Sequence, residues 1–169
     1  MKRVGIITAL SMFVVAASAS AALATINPAN GPTGAHFGGK TSADCTTSGT
    51  TVNCSSYEVA GVGNANATAT LTANYTANVE CSNNGTNPNN AIEAQATSFS
   101  TSTSSGNLSP KNGRLGVPAL STSAPSSPPA GSCPNPNWTA TFAAGSPTLV
   151  SFSYTLTFAG FSGAWLTLP

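Results

Sequence analysis

The chain has 169 residues and a formal net charge of +1, with five Lys and Arg against four Asp and Glu. Only 5% of its residues are charged, against about a quarter in ordinary globular domains. It has too few cations to neutralise a run of phosphates, which excludes nucleic acid and anionic membrane as principal partners.

In chain order, Met1-Lys2-Arg3 is followed by apolar and small residues from Val4 to Ala17, then by Ala22-Leu23-Ala24. A basic start, an apolar stretch of about a dozen residues and an A-x-A site describe a secretory signal peptide over residues 1–24. The stretch is shorter than the roughly 20 residues that cross a bilayer. No second apolar run of spanning length follows, so no membrane insertion is expected after cleavage. Residues 25–169 form a single expected domain, secreted and extracellular. From Thr25 onward, Ser and Thr occupy 42 positions and Asn 16, so hydroxyls and amides must supply solubility. Six N-x-S/T sequons occur, at Asn53, Asn66, Asn74, Asn84, Asn107 and Asn137. So rich a Ser, Thr and Asn content produces about that many by chance, so they do not indicate glycosylation.

His36 is the sole histidine and Asp44 the sole aspartate. A Ser-His-Asp triad would have to use both, and no serine sits in a G-x-S-x-G elbow. A glycosidase pair would have to come from Glu58, Glu80 and Glu93, and Glu80 falls on the polar face of its strand. No enzyme activity, cofactor or metal is expected.

Cys45, Cys54, Cys81 and Cys133 are an even number in an exported chain, so two disulfides are expected. Three pairings are possible. The segment from Cys45 to Cys54 is centred on Gly49-Thr50, which suits a type II′ hairpin turn. Counting outward places 45 opposite 54 in a non-hydrogen-bonded pair, about 4.5 Å apart at Cα and within disulfide reach. This geometry favours Cys45–Cys54, leaving Cys81–Cys133. Thr50 to Val59 continues as the second arm of the hairpin.

From Ala65 to Cys81 every odd residue is apolar and every even one polar, the period of a strand with one dry face. A strand this long far exceeds the usual five or six residues, so a bend or bulge is expected to divide it. The loop 82–90 holds several Asn and no carboxylate, which fits turns better than a calcium site. Ala91 to Ser100 and Arg114 to Leu120 read as weaker strands, separated by a polar connection over 101–113. The segment 121–136 contains five prolines, so it is extended and not a central strand.

Trp138, Ala140 and Phe142 alternate with Thr139 and Thr141, and the even residues from Val150 to Phe158 are apolar. These two segments are predicted to form a hairpin. The Ala-rich dry face of 65–81 is predicted to pack across the core on the bulky dry face of 148–158. Trp138 is assigned to the core. Trp165, outside any pattern beside Gly163, is the best candidate for an exposed contact, with Tyr57 beside it.

The run Gly49-Thr50-Thr51-Val52-Asn53-Cys54, then Ala60-Gly61-Val62-Gly63-Asn64, the Ala/Thr strand into Cys81-Ser82-Asn83-Asn84-Gly85, and Cys133-Pro134-Asn135-Pro136-Asn137-Trp138-Thr139 resemble a group of uncharacterised secreted bacterial proteins. The likeness covers roughly residues 45–90 and 133–158. It implies a bacterial, exported β-sandwich with four cysteines and brings no activity or site residues.

The expected fold is thus an all-β, Ig-like antiparallel β-sandwich with long polar loops and two disulfides. The expected function is that of a structural or interaction protein at the cell surface or in the extracellular matrix. Its partner would be itself, by lateral or filament-type association. The alternative is a carbohydrate-binding module meeting surface glycans through Trp165 and Tyr57, and a small secreted hydrolase is a remote third.

Overall fold

The computed structural model describes residues 24–39, 42–83 and 93–169. The expected signal peptide, the Asn-rich loop over 84–90 and the side chain of Glu93 lie outside the described residues. The fold is all-β and antiparallel, with one 3₁₀ turn at Pro28–Asn30 among the described residues.

A large sheet is built on β6 (Ala67–Asn83), whose even side chains face water and whose odd ones are buried as far as Cys81. One edge of β6 pairs with β7 (Glu93–Ser104), in register from Thr70↔Ser104 to Cys81↔Glu93. Its other edge is shared end to end by β10 (Trp138–Phe142) and β11 (Thr148–Phe158). Beyond β11 lie β12 (Leu166–Leu168) and β1 (Thr25–Ile26).

Three expectations are corrected here. First, β10 and β11 are not a hairpin. Both run antiparallel to β6, Trp138↔Asn83 through Phe142↔Val79 and then Thr148↔Thr76 through Phe158↔Ala67. A strand of 17 residues offers an edge of about 56 Å; pairing the two segments with each other would leave most of it unsatisfied. Second, β6 is not divided. The irregularity falls on its partner, as the break over 143–147 and a bulge between Leu149 and Ser151. Asn78 spans the break, donating its backbone N–H to Ser146 Oγ (3.0 Å) and accepting from Ala143 N (2.9 Å). Third, the bulge ejects Val150, which is 61% exposed although its parity put it on the dry face.

The second layer consists of β2 (His36–Phe37), β3 (Cys45–Ser48), β4 (Thr51–Cys54), β5 (Tyr57–Ala60), β8 (Arg114–Val117) and β9 (Leu120–Ser123). β4 pairs with β9 and β5 with β8 in one unbroken register, Thr51↔Ser123 through Ala60↔Arg114. The ladder is interrupted opposite Pro118, which has no N–H to give. The two predicted strands 50–59 and 114–120 are therefore each divided, and the second extends to Ser123. Likewise β7 reaches Ser104, inside the stretch assigned to a polar connection. β3 and β2 complete the layer beside β4 and β5.

The layers meet in a core where Val52, Tyr57, Val59, Leu115 and Val117 pack against Ala69, Leu71, Tyr154, Leu156 and Phe158. The dry faces of β6 and β11 do not oppose each other. The two strands are neighbours in one sheet, and together they cover the second layer. Alternation fixes which face of a strand is dry, but not which strand lies beside it.

Both disulfides pair as expected. Cys45–Cys54 closes the hairpin with Cα atoms 4.0 Å apart and register Cys45↔Cys54 to Ser48↔Thr51. Gly49 has φ of +58°, as the first residue of a type II′ turn requires. Cys81–Cys133 anchors the proline-rich connection, since Cys81 is fully buried and Cys133 partly so.

Candidate functional site

The two side chains expected to offer an exposed contact are buried instead. Trp165 is 1% exposed and Tyr57 5%. Trp165 packs edge-to-face on Phe37 (5.6 Å) and Phe158 (5.9 Å), and it lies flat against Gly31. A Cβ at Gly31 would come within 2.4 Å of Trp165 Cδ1, so only glycine fits there. Tyr57 meets Phe37 and Tyr154 edge-to-face. Tyr154 donates its hydroxyl to Tyr57 Oη across the layers (3.1 Å). Neither Trp165 nor Tyr57 presents a ring face to a ligand.

That tyrosine pair has a measurable consequence. Burial, then the neighbouring phenol, pushes Tyr57 well above the ordinary tyrosine range. Burial also raises Tyr154, partly opposed by its hydrogen bond to Tyr57. Unfolded tyrosines ionise near pH 10. Because the folded values lie higher, the stability these groups contribute is fully present below about pH 10 and is lost as pH rises further. Melts between pH 8 and 12, read with tyrosinate absorbance, should show both phenols ionising only as the chain unfolds. Ionisation of all tyrosines ahead of unfolding would contradict it.

The residues that chemistry would need are dispersed. His36 is exposed and its Nδ1 bonds to Gly34 O (2.7 Å). His36 pairs with Ala60 at one end of the β4–β5 edge. The Asp44 carbonyl accepts from Ser55 N at the middle of that edge, where β4 gives way to β5. Five residues along a strand separate them by about 16 Å. Glu58 forms an ion pair with Arg114, both partly exposed, which is worth about 1 kcal/mol or less. Glu80 lies in the other sheet, opposite Ala94 and Thr141. No group of three metal-ligating side chains occurs among the described residues.

What the fold does assemble is a hydroxyl-rich, sparsely charged surface with a long free edge. Across the outer face of the large sheet, Thr25, Thr167, Thr155, Thr70 and Ser104 fall in one rank, one residue per strand. A second rank joins Ser153, Thr72 and Ser102, with Thr72 and Ser102 hydroxyls 3.2 Å apart. Glu80 is the one charged residue on this face among the described residues.

β7 bounds the sheet, and no strand pairs with its outer edge among the described residues. Ser105 N donates to Ala69 O (2.9 Å), so odd residues of β7 point their backbone groups at β6. By alternation the even residues, Ala94 to Ser104, point theirs outward. On the inner side, Thr101 Oγ1 meets Thr122 Oγ1 (2.8 Å) and Thr103 donates to Ser121 O (3.0 Å). These bonds tie the far end of β7 to β9 and leave its outer edge open. Between Ala94 and Ser104 there is no charge and no proline, the usual devices that blunt an edge.

Two further features break the smooth sheet. At the β10–β11 break, adjoining depressions of about 230 and 300 Å³ share Thr76 and Ser98 on the outer face. A larger cleft of about 510 Å³ opens between the proline-rich connection and Trp138 and Ala140 of β10. Trp138 has the dry-face parity expected of it but is only partly buried, because the second layer does not reach that end of the sheet. The prolines cover it instead. No family model, curated protein or solved structure matches the chain.

β7 was legible as a weak strand over Ala91–Ser100, but not as an edge. The Trp138 cleft left a trace in the sequence, a tryptophan five residues after a cysteine set within a proline run.

Proposed function

We propose that this is a secreted structural or interaction protein of the cell surface or extracellular matrix, which associates laterally with copies of itself through β7. The carrying observation is the outer edge of β7, a strand of 12 residues that has neither charge nor proline from Ala94 to Ser104 and points the backbone groups of its even residues outward. Two copies related by a twofold axis would pair β7 with β7 antiparallel, giving one continuous sheet. No like charges would meet, and the hydroxyl ranks would run on across the join.

Magnitudes make this association reversible. About ten interstrand hydrogen bonds at roughly 0.5–1.5 kcal/mol each are largely offset by an association cost of roughly 4–15 kcal/mol. Pairing is expected at high concentration or where chains are held together at a surface. An Ig-like arrangement belongs to the same reading. It is supported by the two antiparallel layers and the core-anchored disulfide rather than by strand order. Glycan binding through Tyr57 and Trp165 loses its support, since both rings lie inside the core.

Ser102→Pro tests the edge directly. The Ser102 N–H points away from β6, so proline removes an outward donor and leaves the β6–β7 ladder intact. Sedimentation of the mature, oxidised protein should show mass rising with concentration, and the variant should stay monomeric with its melting temperature little changed. A wild type that is monomeric throughout, or a variant that assembles equally well, would sink the proposal.

A further inference from the structure

We propose that the cleft beneath the proline-rich connection binds a neutral saccharide, with the face of Trp138 as its stacking platform. The inference does not depend on self-association.

The cleft is held in shape rather than loosely draped. Cys133 is bridged to the buried Cys81, which fixes the connection to the sheet. Ser132 turns back on Pro129, its hydroxyl donating to Pro129 O (2.7 Å). Asn135 caps the next turn, with Oδ1 accepting from Asn137 N (2.9 Å) and its carbonyl from Trp138 N (3.1 Å). The four prolines at 128, 129, 134 and 136 restrict the rest. A wall fixed in advance loses little conformational freedom when a ligand arrives.

Its chemistry selects among ligands. No side chain lining it is charged, which disfavours phosphates, uronates and basic peptides. The Pro129 carbonyl is taken by the Ser132 N–H and hydroxyl, while Pro128, Pro134 and Pro136 each add a carbonyl acceptor and no N–H donor, so the wall is richer in acceptors than in donors. A polyol has the complementary excess of O–H donors, and its apolar C–H face matches an indole ring. A proline-rich peptide would bring more acceptors to a wall already full of them, and so fits poorly. The volume, about 510 Å³, lies in the range of small-ligand sites.

Tryptophan fluorescence gives the test, because Trp165 is buried and Trp138 is not. The mature, oxidised protein would be titrated with neutral oligosaccharides of the glucan, chitin, mannan and galactan types, with decaproline as the competing class. At least one oligosaccharide should give a saturable fluorescence change at millimolar concentration. Its affinity should fall at least tenfold in Trp138→Ala and less in Trp138→Phe, with melting curves close to wild type. Ser102→Pro, which lies outside the cleft, should bind as wild type does. No response across the panel, affinity unchanged in Trp138→Ala, or saturable binding of decaproline alone would each overturn the proposal.

Discussion

Trp165→Ala is expected to lose about 3–5 kcal/mol of stability, the range for emptying the space of a buried tryptophan. Such domains have only about 5–15 kcal/mol in total, so the melting temperature should fall by about 10–20 °C. The size follows from the position of the ring. It is 1% exposed, wedged between Phe37 and Phe158, with Gly31 beneath it. Its backbone also joins the outer strands, its N–H donating to Leu156 O and its carbonyl accepting from Asn27 N, both at 2.8 Å. Loss of any binding function in this variant would therefore follow unfolding and would not mark a contact residue. Thermal melts of Trp165→Ala beside Trp138→Ala make the comparison. A large drop for Trp138 and none for Trp165 would reverse the assignment of core and cleft.

Removing the Cys81–Cys133 bridge by Cys→Ala at both positions is the second large effect. The bridge spans a sequence separation of 52, against 9 for Cys45–Cys54. The chain-entropy relation gives about 4 kcal/mol for the long loop and about 2.5 kcal/mol for the short one. The structure adds a local consequence. Without the bridge, the proline-rich connection loses its tie to β6, and the cleft over Trp138 and Ala140 loses the anchor of its wall. Denaturant midpoints of the two double variants should rank the long-loop variant as the weaker. An equal or opposite ranking would mean that native contacts, not loop entropy, decide the cost.

The residues differ in how much of this they disclosed. Alternation from Ala67 to Cys81 named the buried side of β6 residue by residue, because a strand's two faces are set by local geometry alone. The Gly49 turn and the count outward to Cys45 and Cys54 fixed a disulfide for the same reason. Neighbour relations were not legible. Trp138–Phe142 and Thr148–Phe158 look like two arms of a hairpin, yet β6 is long enough to take both on one edge. Val150 reads as a dry-face residue because the bulge that shifts its parity leaves no mark in Leu149-Val150-Ser151. Trp165 carried no periodic signal; its burial comes from Phe37 and Gly31, more than a hundred residues away in sequence. The edge position of β7 is likewise a property of the finished sheet and not of its own sequence.

Amide hydrogen exchange along β7 tests the self-association most directly. At low concentration the outward amides of Ala96, Ser98 and Ser100 should exchange fast, while those of Thr97, Phe99 and Thr101, bonded to β6, stay protected. On concentrating the oxidised protein, the outward set should become protected as well, and Ser102→Pro should abolish that change. Outward amides that exchange fast at every concentration would contradict pairing through this edge.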